Sequence, residues 1–287
     1  MKTIVIGDIH QRVDSVKSVL EKETDYDEVV FLGDWFDSFY DPPKVAGFGE
    51  TAEYLRSLVM DHPSKSKFVF LVGNHDMSYI FNNRASSMTS IHKTIEFYCS
   101  GFTTSKAKKF RKEFYDEGLK DDFFYKNFKV VHQTQGFTLS HAGIHERHIP
   151  VGKDADVLIK EIIPHVWKNF RDFTIPHHWL LSGAGLCRGG ECYVGGVVWL
   201  DWYNEFEASE HIGKQIVGHT TVKLPQVLHM NTNKESWNLD TEKDYGVIID
   251  GMMITRPIPL TIQKEYNLNK NVLNVSRDTI KWDQHES

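Results

Sequence analysis

Five times along this chain a short apolar run stops at a polar cluster built from glycine with aspartate, asparagine or histidine. Thr3–Ile6 leads into Gly7-Asp8-Ile9-His10, Val29–Leu32 into Gly33-Asp34-Trp35-Phe36-Asp37, and Phe68–Val72 into Gly73-Asn74-His75-Asp76. Phe137–Leu139 then leads into Ser140-His141-Ala142-Gly143, and Gln215–Val217 into Gly218-His219-Thr220. Helical patterns separate the first three runs: Val13, Val16, Val19 and Leu20 recur at helical spacing within 13–23, and a second helix is predicted over 50–60, after Pro42-Pro43. Continuous β-branched and aromatic runs between helices read as parallel strands buried on both faces. An α/β fold follows, and side chains placed just beyond the strand ends converge at one edge of the sheet, where ligands of such folds bind.

The rest of the chain is less regular. A charged helix is predicted over 105–116, paired strands over 128–132 and 137–139, and a helix over 154–170, kinked or broken at Pro164. A glycine-rich stretch covers 183–196, and from Trp237 to Ile254 apolar runs alternate with turns as antiparallel strands do. No linker, repeat or low-complexity tract divides the 287 residues, so one domain over 1–287 is expected. A composition of 40% hydrophobic and 25% charged residues supports a buried core throughout. The net charge of −6 gives no general attraction for nucleic acid or anionic lipid, so an anionic substrate must be drawn by local charge such as a bound metal. Met1–Ile6 has no signal-peptide layout, no apolar stretch approaches the ~18 residues of a spanning helix, and the three cysteines make no disulfide framework. A cytoplasmic location without membrane attachment is expected.

Oxygen and imidazole donors without thiolate suit Mn²⁺ first, with Fe or Zn²⁺ as alternatives, at a site with positions open to water. Two such cations about 3.5–4 Å apart would hold a bridging hydroxide in line with phosphorus, and a bridging carboxylate would keep them that close. The five motifs, in this order, resemble the calcineurin-like metallophosphoesterase superfamily, closest to the phosphoprotein-phosphatase branch of Ser/Thr phosphatases, small phage phosphatases and diadenosine tetraphosphate hydrolases. The resemblance runs from Lys2 to Ile254. It implies a four-layer α-β-β-α sandwich of two mixed sheets flanked by helices. It implies Asp8, His10 and Asp34 at a first metal, with Asp34 bridging to a second completed by Asn74, His141 and His219. His75 would be the general acid for the leaving alkoxide, oriented by Asp37. The implied substrate is a phosphoprotein, nucleotide or small phosphoester, hydrolysed by a Ser/Thr-phosphatase-like or dinucleoside-polyphosphate-hydrolase-like enzyme. A nucleotide or nucleic-acid phosphodiesterase is the close alternative, and a non-catalytic metal-binding scaffold the distant one.

Departures from the family pattern are Gln11 for Gly, Asp76 for Glu, Ser38 for a phosphate-binding Arg, and Asp201 where small phosphatases often carry Arg. A dianionic monoester would gain most from those arginines, whereas a diester or anhydride would miss them less. Arg84, Arg147 and Arg188 are candidate substitutes. Trp35, Phe36, Phe39 and Tyr40 could wall the site, with core packing expected for at least half of them. The run from Lys106 to Lys112 reads as a solvated helix face before it reads as a phosphate-backbone contact. Cys187 and Cys192, near His177 and His178, match no familiar zinc spacing and read as free thiols. His132, His145, His148, His165 and His229 have no motif support.

Overall fold

Strands β1 (Lys2–Ile6), β2 (Glu28–Phe31) and β3 (Phe68–Leu71) lie side by side and parallel, with Val5 opposite Val30 and Val30 opposite Val69. Past their first residues the strands are continuously apolar, over residues 4–6, 29–31 and 68–71, because both faces are covered there. Ile4, Val29, Phe31 and Phe70 pack against helices α1 (Val13–Lys22) and α2 (Phe48–Met60), through Val16, Val19, Leu55 and Leu58. Val5, Val30, Leu32 and Leu71 point the other way, into Phe137, Leu139, Ile216 and Trp237 of a second sheet. The computed structural model describes residues 1–40, 44–85, 99–116, 123–172 and 179–259. Helix α3 (Asn74–Ala85) follows β3, and α4 (Thr104–Arg111) follows the next undescribed stretch.

After the short helix α5 (Phe123–Asn127), β4 (Phe128–Lys129) pairs with β3, whereas β5 (Val131–Thr134) pairs antiparallel with β6 (Phe137–Ser140) in the second sheet. The single strand expected over 128–132 is therefore two, because the chain crosses between sheets at the buried Val130. The helix expected over 154–170 begins at α6 (Ala155–Val157), where Asp154 caps the Val157 N–H at 2.8 Å. It widens into a π turn over Leu158–Ile162 and continues as α7 (Ile163–Asp172). Pro164 lies just after that π turn, where the regular i→i−4 ladder is already interrupted, so its missing N–H is tolerated without a break in the helix. Helix α8 (Trp179–Ser182) precedes the glycine-rich stretch.

Strand β7 (Lys214–Val217) runs parallel to both β6 and β9 (Ser236–Asn238), and β8 (Gln226–Leu228) closes that edge antiparallel to β9. The chain then returns to the first sheet as the antiparallel hairpin β10 (Asp244–Ile249) and β11 (Met252–Pro257), with β10 antiparallel to β1. The expected antiparallel series from Trp237 holds for the hairpin and for Trp237 against Val227, while on its other side Trp237 pairs parallel with Ile216. Two mixed sheets, ordered β11-β10-β1-β2-β3-β4 and β5-β6-β7-β9-β8, pack face to face, with helices flanking them. Away from the sheet edge that carries the motifs, Glu23 at the end of α1 is buried between Lys2 (2.8 Å), Arg256 (2.6 Å) and the Tyr245 hydroxyl (2.5 Å). These contacts tie α1 to β1, β10 and β11.

Candidate metal centre

All five polar clusters arrive at one edge because β1, β2 and β3 are parallel in one sheet, and β6 and β7 in the other. The turns there are tight enough to force unusual backbone. His10, Asp34, Asp37 and His219 have φ of 43°, 51°, 61° and 67°, a left-handed region that costs a non-glycine residue about 1–3 kcal/mol. Gln11 shares it at 64°, so the glycine the family pattern has there would relax the turn. Glycine is required where loops touch ligands. A Cβ on Gly73 would stand 2.1 Å from Asp34 Oδ1, and one on Gly218 would stand 2.0 Å from Asp8 Oδ1. Asp76 locks two of the loops together, accepting the N–H groups of Asp34 (2.8 Å), Trp35 (2.8 Å) and Gly73 (3.0 Å).

Two groups of donor atoms result, and Asp34 belongs to both. Asp8, His10 and Asp34 offer atoms within 4.8 Å of one another, as do Asp34, His141 and His219. His10 Nδ1–H donates to the Phe36 carbonyl and His141 Nδ1–H to the Leu32 carbonyl, each at 2.9 Å, which leaves both Nε2 atoms as acceptors toward the centre. Asn74 Oδ1 lies 2.9 Å from His141 Nε2 and 2.9 Å from His219 Nδ1, so it joins the second group. Its amide orientation is set by Cys99, which donates to the Asn74 carbonyl at 3.0 Å and accepts from Nδ2 at 3.2 Å.

The electrostatics of this cluster call for cations. Asp8, Asp34 and the neighbouring Asp240 are all buried, and among the described residues no Lys or Arg forms an ion pair with Asp8 or Asp34. Burial, then Asp240, pushes the Asp8 carboxyl well above the usual range. Burial would also raise Asp34, but His141 and His75 outweigh it and hold that carboxylate ionised. Burial would lower the His141 imidazole, yet Asp34 and Asp8 drive it up to about 10. Carboxylates buried together with no paired Lys or Arg make a cluster short of cations, and oxygen and nitrogen donors without thiolate fit divalent ones.

The sequence matches the family model for calcineurin-like phosphoesterases over residues 1–223. The chain belongs to the calcineurin-like phosphoesterase family. As a member of this family it is a phosphoester hydrolase that uses divalent metal, and the clustered Asp and His side chains are its possible ligands. Similar solved structures include a point mutant of a cold-active protein tyrosine phosphatase, 15% identical over 88% of this chain and 80% of that one, with TM-score 0.48. A protein serine/threonine phosphatase from Saccharomyces cerevisiae is 12% identical over 92% and 82%, with TM-score 0.47. A metallophosphoesterase from Sphaerobacter thermophilus is 13% identical over 89% and 87%, with TM-score 0.38. No curated protein matches the sequence. No helix among the described residues of this phosphoesterase is long and apolar enough to cross a membrane.

Beside the metal cluster, His75 Nδ1–H donates to Asp37 Oδ2 at 3.1 Å, and the rings of His75 and His10 meet edge to face at 5.2 Å. Burial would lower the His75 pKa, but Asp34 and then Asp37 outweigh it and raise it. Asp37 is held in turn by the Tyr79 hydroxyl (2.6 Å) and Lys106 Nζ (2.8 Å). Lys106 is thus not part of a solvated helix face. It reaches back to the site while Phe110, one turn on, is buried in the core, and this i, i+4 pairing was the available signal. Tyr79, Cys99 and Asp240 also escaped the sequence motifs.

Trp35 and Phe36 are fully buried, whereas Phe39 is exposed and its ring lies 5.5 Å from that of His10. Gln11 and Ser38 act together, since Gln11 accepts the Ser38 N–H at 3.2 Å and donates to the Ala46 carbonyl at 2.8 Å. Of the candidate arginines, Arg147 stacks 4.2 Å over Tyr193 and lines a cavity of about 340 Å³ with His145, Glu205 and Glu207. Arg188 pairs with Asp201 at 2.8 Å and donates to Thr220, next to His219, at 2.7 Å. The Arg84 side chain, His177 and His178 lie outside the described residues. Cys187 donates to Glu205 at 2.9 Å, and neither it nor Cys192 belongs to a metal-binding group among the described residues.

Proposed function

We propose that this phosphoesterase is a phosphatase of the Ser/Thr-phosphatase-like or dinucleoside-polyphosphate-hydrolase-like kind, working at a dinuclear centre held by Asp8, His10, Asp34, Asn74, His141 and His219. One observation carries the reading: Asp34 is common to both donor groups, as a bridging carboxylate must be. When bound, two divalent cations, Mn²⁺ first and Fe or Zn²⁺ as alternatives, would activate a water and neutralise charge at phosphorus. The chain supplies the rest. Asp37 holds the His75 imidazole by Nδ1, which keeps Nε2 as the atom that delivers a proton to the leaving oxygen. The raised pKa of His75 preserves that proton toward neutral pH. The substrate would be a phosphoprotein, nucleotide or small phosphoester, as for Ser/Thr-phosphatase-like and dinucleoside-polyphosphate-hydrolase-like enzymes.

Ser38, standing where a clamping Arg is expected, favours the second reading of a phosphodiesterase. Hydrolysis of para-nitrophenyl phosphate and of its bis ester, after chelation and restoration of Mn²⁺, separates the two. Mn²⁺-dependent turnover that prefers the monoester, and that His75→Ala loses by about 10²–10⁴-fold while keeping its metal, is expected. A strong preference for the diester would move the assignment to the second reading, and full activity in His75→Ala would remove the acid.

A further inference from the structure

The cationic side chains around the centre differ in what they leave unused. Arg12 donates to the carbonyls of Asp8, Ile9 and Thr241. Lys106 is divided between Asp37 and the Gly101 carbonyl. Arg188 ends the short turn Leu186–Arg188 and, among the described residues, reaches Thr220 Oγ1 and Asp201 Oδ2 through Nη2 alone. Its Nε is buried with no partner among the described residues, and its side chain is 29% exposed.

This guanidinium is held, not loose. Asp201 cannot swing away, because its Oδ1 accepts the N–H groups of Tyr203 (3.0 Å) and Asn204 (2.9 Å) and the Asn204 side-chain amide (2.8 Å). Thr220, which accepts from Arg188 Nη2 at 2.7 Å, is covalently next to His219. A rigid cation with unused donors therefore stands one residue from the second donor group. A phosphoryl dianion bound at that group would meet the only kind of side chain that can both neutralise it and hydrogen-bond its oxygens through a planar fork.

We propose that Arg188 is the phosphate-recognising residue of this centre, binding the non-bridging oxygens of a phosphomonoester or of the inorganic phosphate released from it. The assignment rests on the hydrolytic reading given above and extends it to substrate class. Asp201, which occupies a position where an arginine is expected, becomes the anchor of an arginine supplied from the glycine-rich stretch. The pair then discriminates by charge, since a dianion gains more than a monoanionic diester from a cation already half satisfied by a carboxylate.

The test uses the full chain loaded with Mn²⁺ and compares it with Arg188→Ala and Arg188→Lys. Inorganic phosphate binding by calorimetry, Mn²⁺ content, and KM and kcat for the mono and bis esters are measured together. Arg188→Ala should keep its Mn²⁺, weaken phosphate binding and raise the monoester KM by about 10–100-fold, the worth of a hydrogen bond to a charged group, and leave the diester KM within about threefold. Arg188→Lys, which preserves the charge beside Asp201 but not the fork, should show a smaller weakening in the same sense. Unchanged phosphate affinity in both variants, or equal losses on monoester and diester, would overturn the assignment. If Arg188→Ala does not fold, native-like phosphate binding by Arg188→Lys alone overturns it. A native chain that binds two Mn²⁺ but neither binds phosphate nor hydrolyses either ester would instead bring down the hydrolytic reading beneath it.

Discussion

Two buried groups of carboxylate charge in this molecule are handled in opposite ways. At Glu23 the fold supplies every partner itself: Lys2, Arg256 and Tyr245 close on one carboxylate and outweigh the burial that would raise its pKa, holding it down to about 2. At the sheet edge, Asp8, Asp34 and Asp240 share one volume with imidazoles and with no Lys or Arg paired to Asp8 or Asp34 among the described residues. The first group is complete and serves the fold. The second is arranged at a cost in strain and charge, and it makes sense as a place where positive charge is to be added.

That contrast can be broken most sharply at Asp34. Asp34→Asn removes the one carboxylate common to both donor groups, and it should lower Mn²⁺ content and turnover together, turnover by on the order of 10³-fold. Two metals retained with full activity would refute the shared-ligand assignment. The counterpart, Glu23→Gln, should leave Mn²⁺ content and kcat unchanged but destabilise the fold by about 2 kcal/mol, read as the denaturant midpoint, because Arg256 loses its carboxylate partner and Lys2 keeps, among the described residues, only the exposed Asp25.

The same carboxylate sets an acid limb. Its folded pKa lies below its unfolded value, so its stabilisation is present above about 4.5 and is lost as pH falls from there through about 2. Unfolding measured across that window should steepen in the native chain and flatten in Glu23→Gln, and parallel curves would show that the ion pairs contribute nothing. The smallest effect is expected at Cys99. Cys99→Ala releases the Asn74 amide and should weaken Mn²⁺ binding by about tenfold, as loss of a supporting contact behind a ligand does, with a midpoint shift of about 1 kcal/mol. Unchanged Mn²⁺ affinity would make the thiol a packing group only.

What was legible in the sequence is what repeats locally. Strand, glycine and ligand succeed one another within a dozen residues at Asp8, Asp34 and Asn74, with a helix next in order each time, so the α/β order and the converging donors could be read directly. Partners joined only by long-range packing left no such trace. Lys106 meets Asp37 across 69 residues, and Cys99 meets Asn74 from beyond a stretch without a clear period. The crossing at Val130 was hidden because one strand-like segment, Phe128-Lys129-Val130-Val131-His132, serves two sheets in turn with no turn residue to mark the change. Asp201 could be flagged as a departure but not understood, since its meaning lies in a partner thirteen residues upstream within a glycine-rich turn.

Asp76 has a consequence for which ions this protein can choose among. One carboxylate spans the amides of Gly73, Asp34 and Trp35, so the loops after β2 and β3 behave as a single welded bracket. The spacing between Asp34 and Asn74 is then set in large part by peptide geometry before any ion arrives. Selection among cations of similar size falls to the chemistry of the donors and to which metal the surroundings offer.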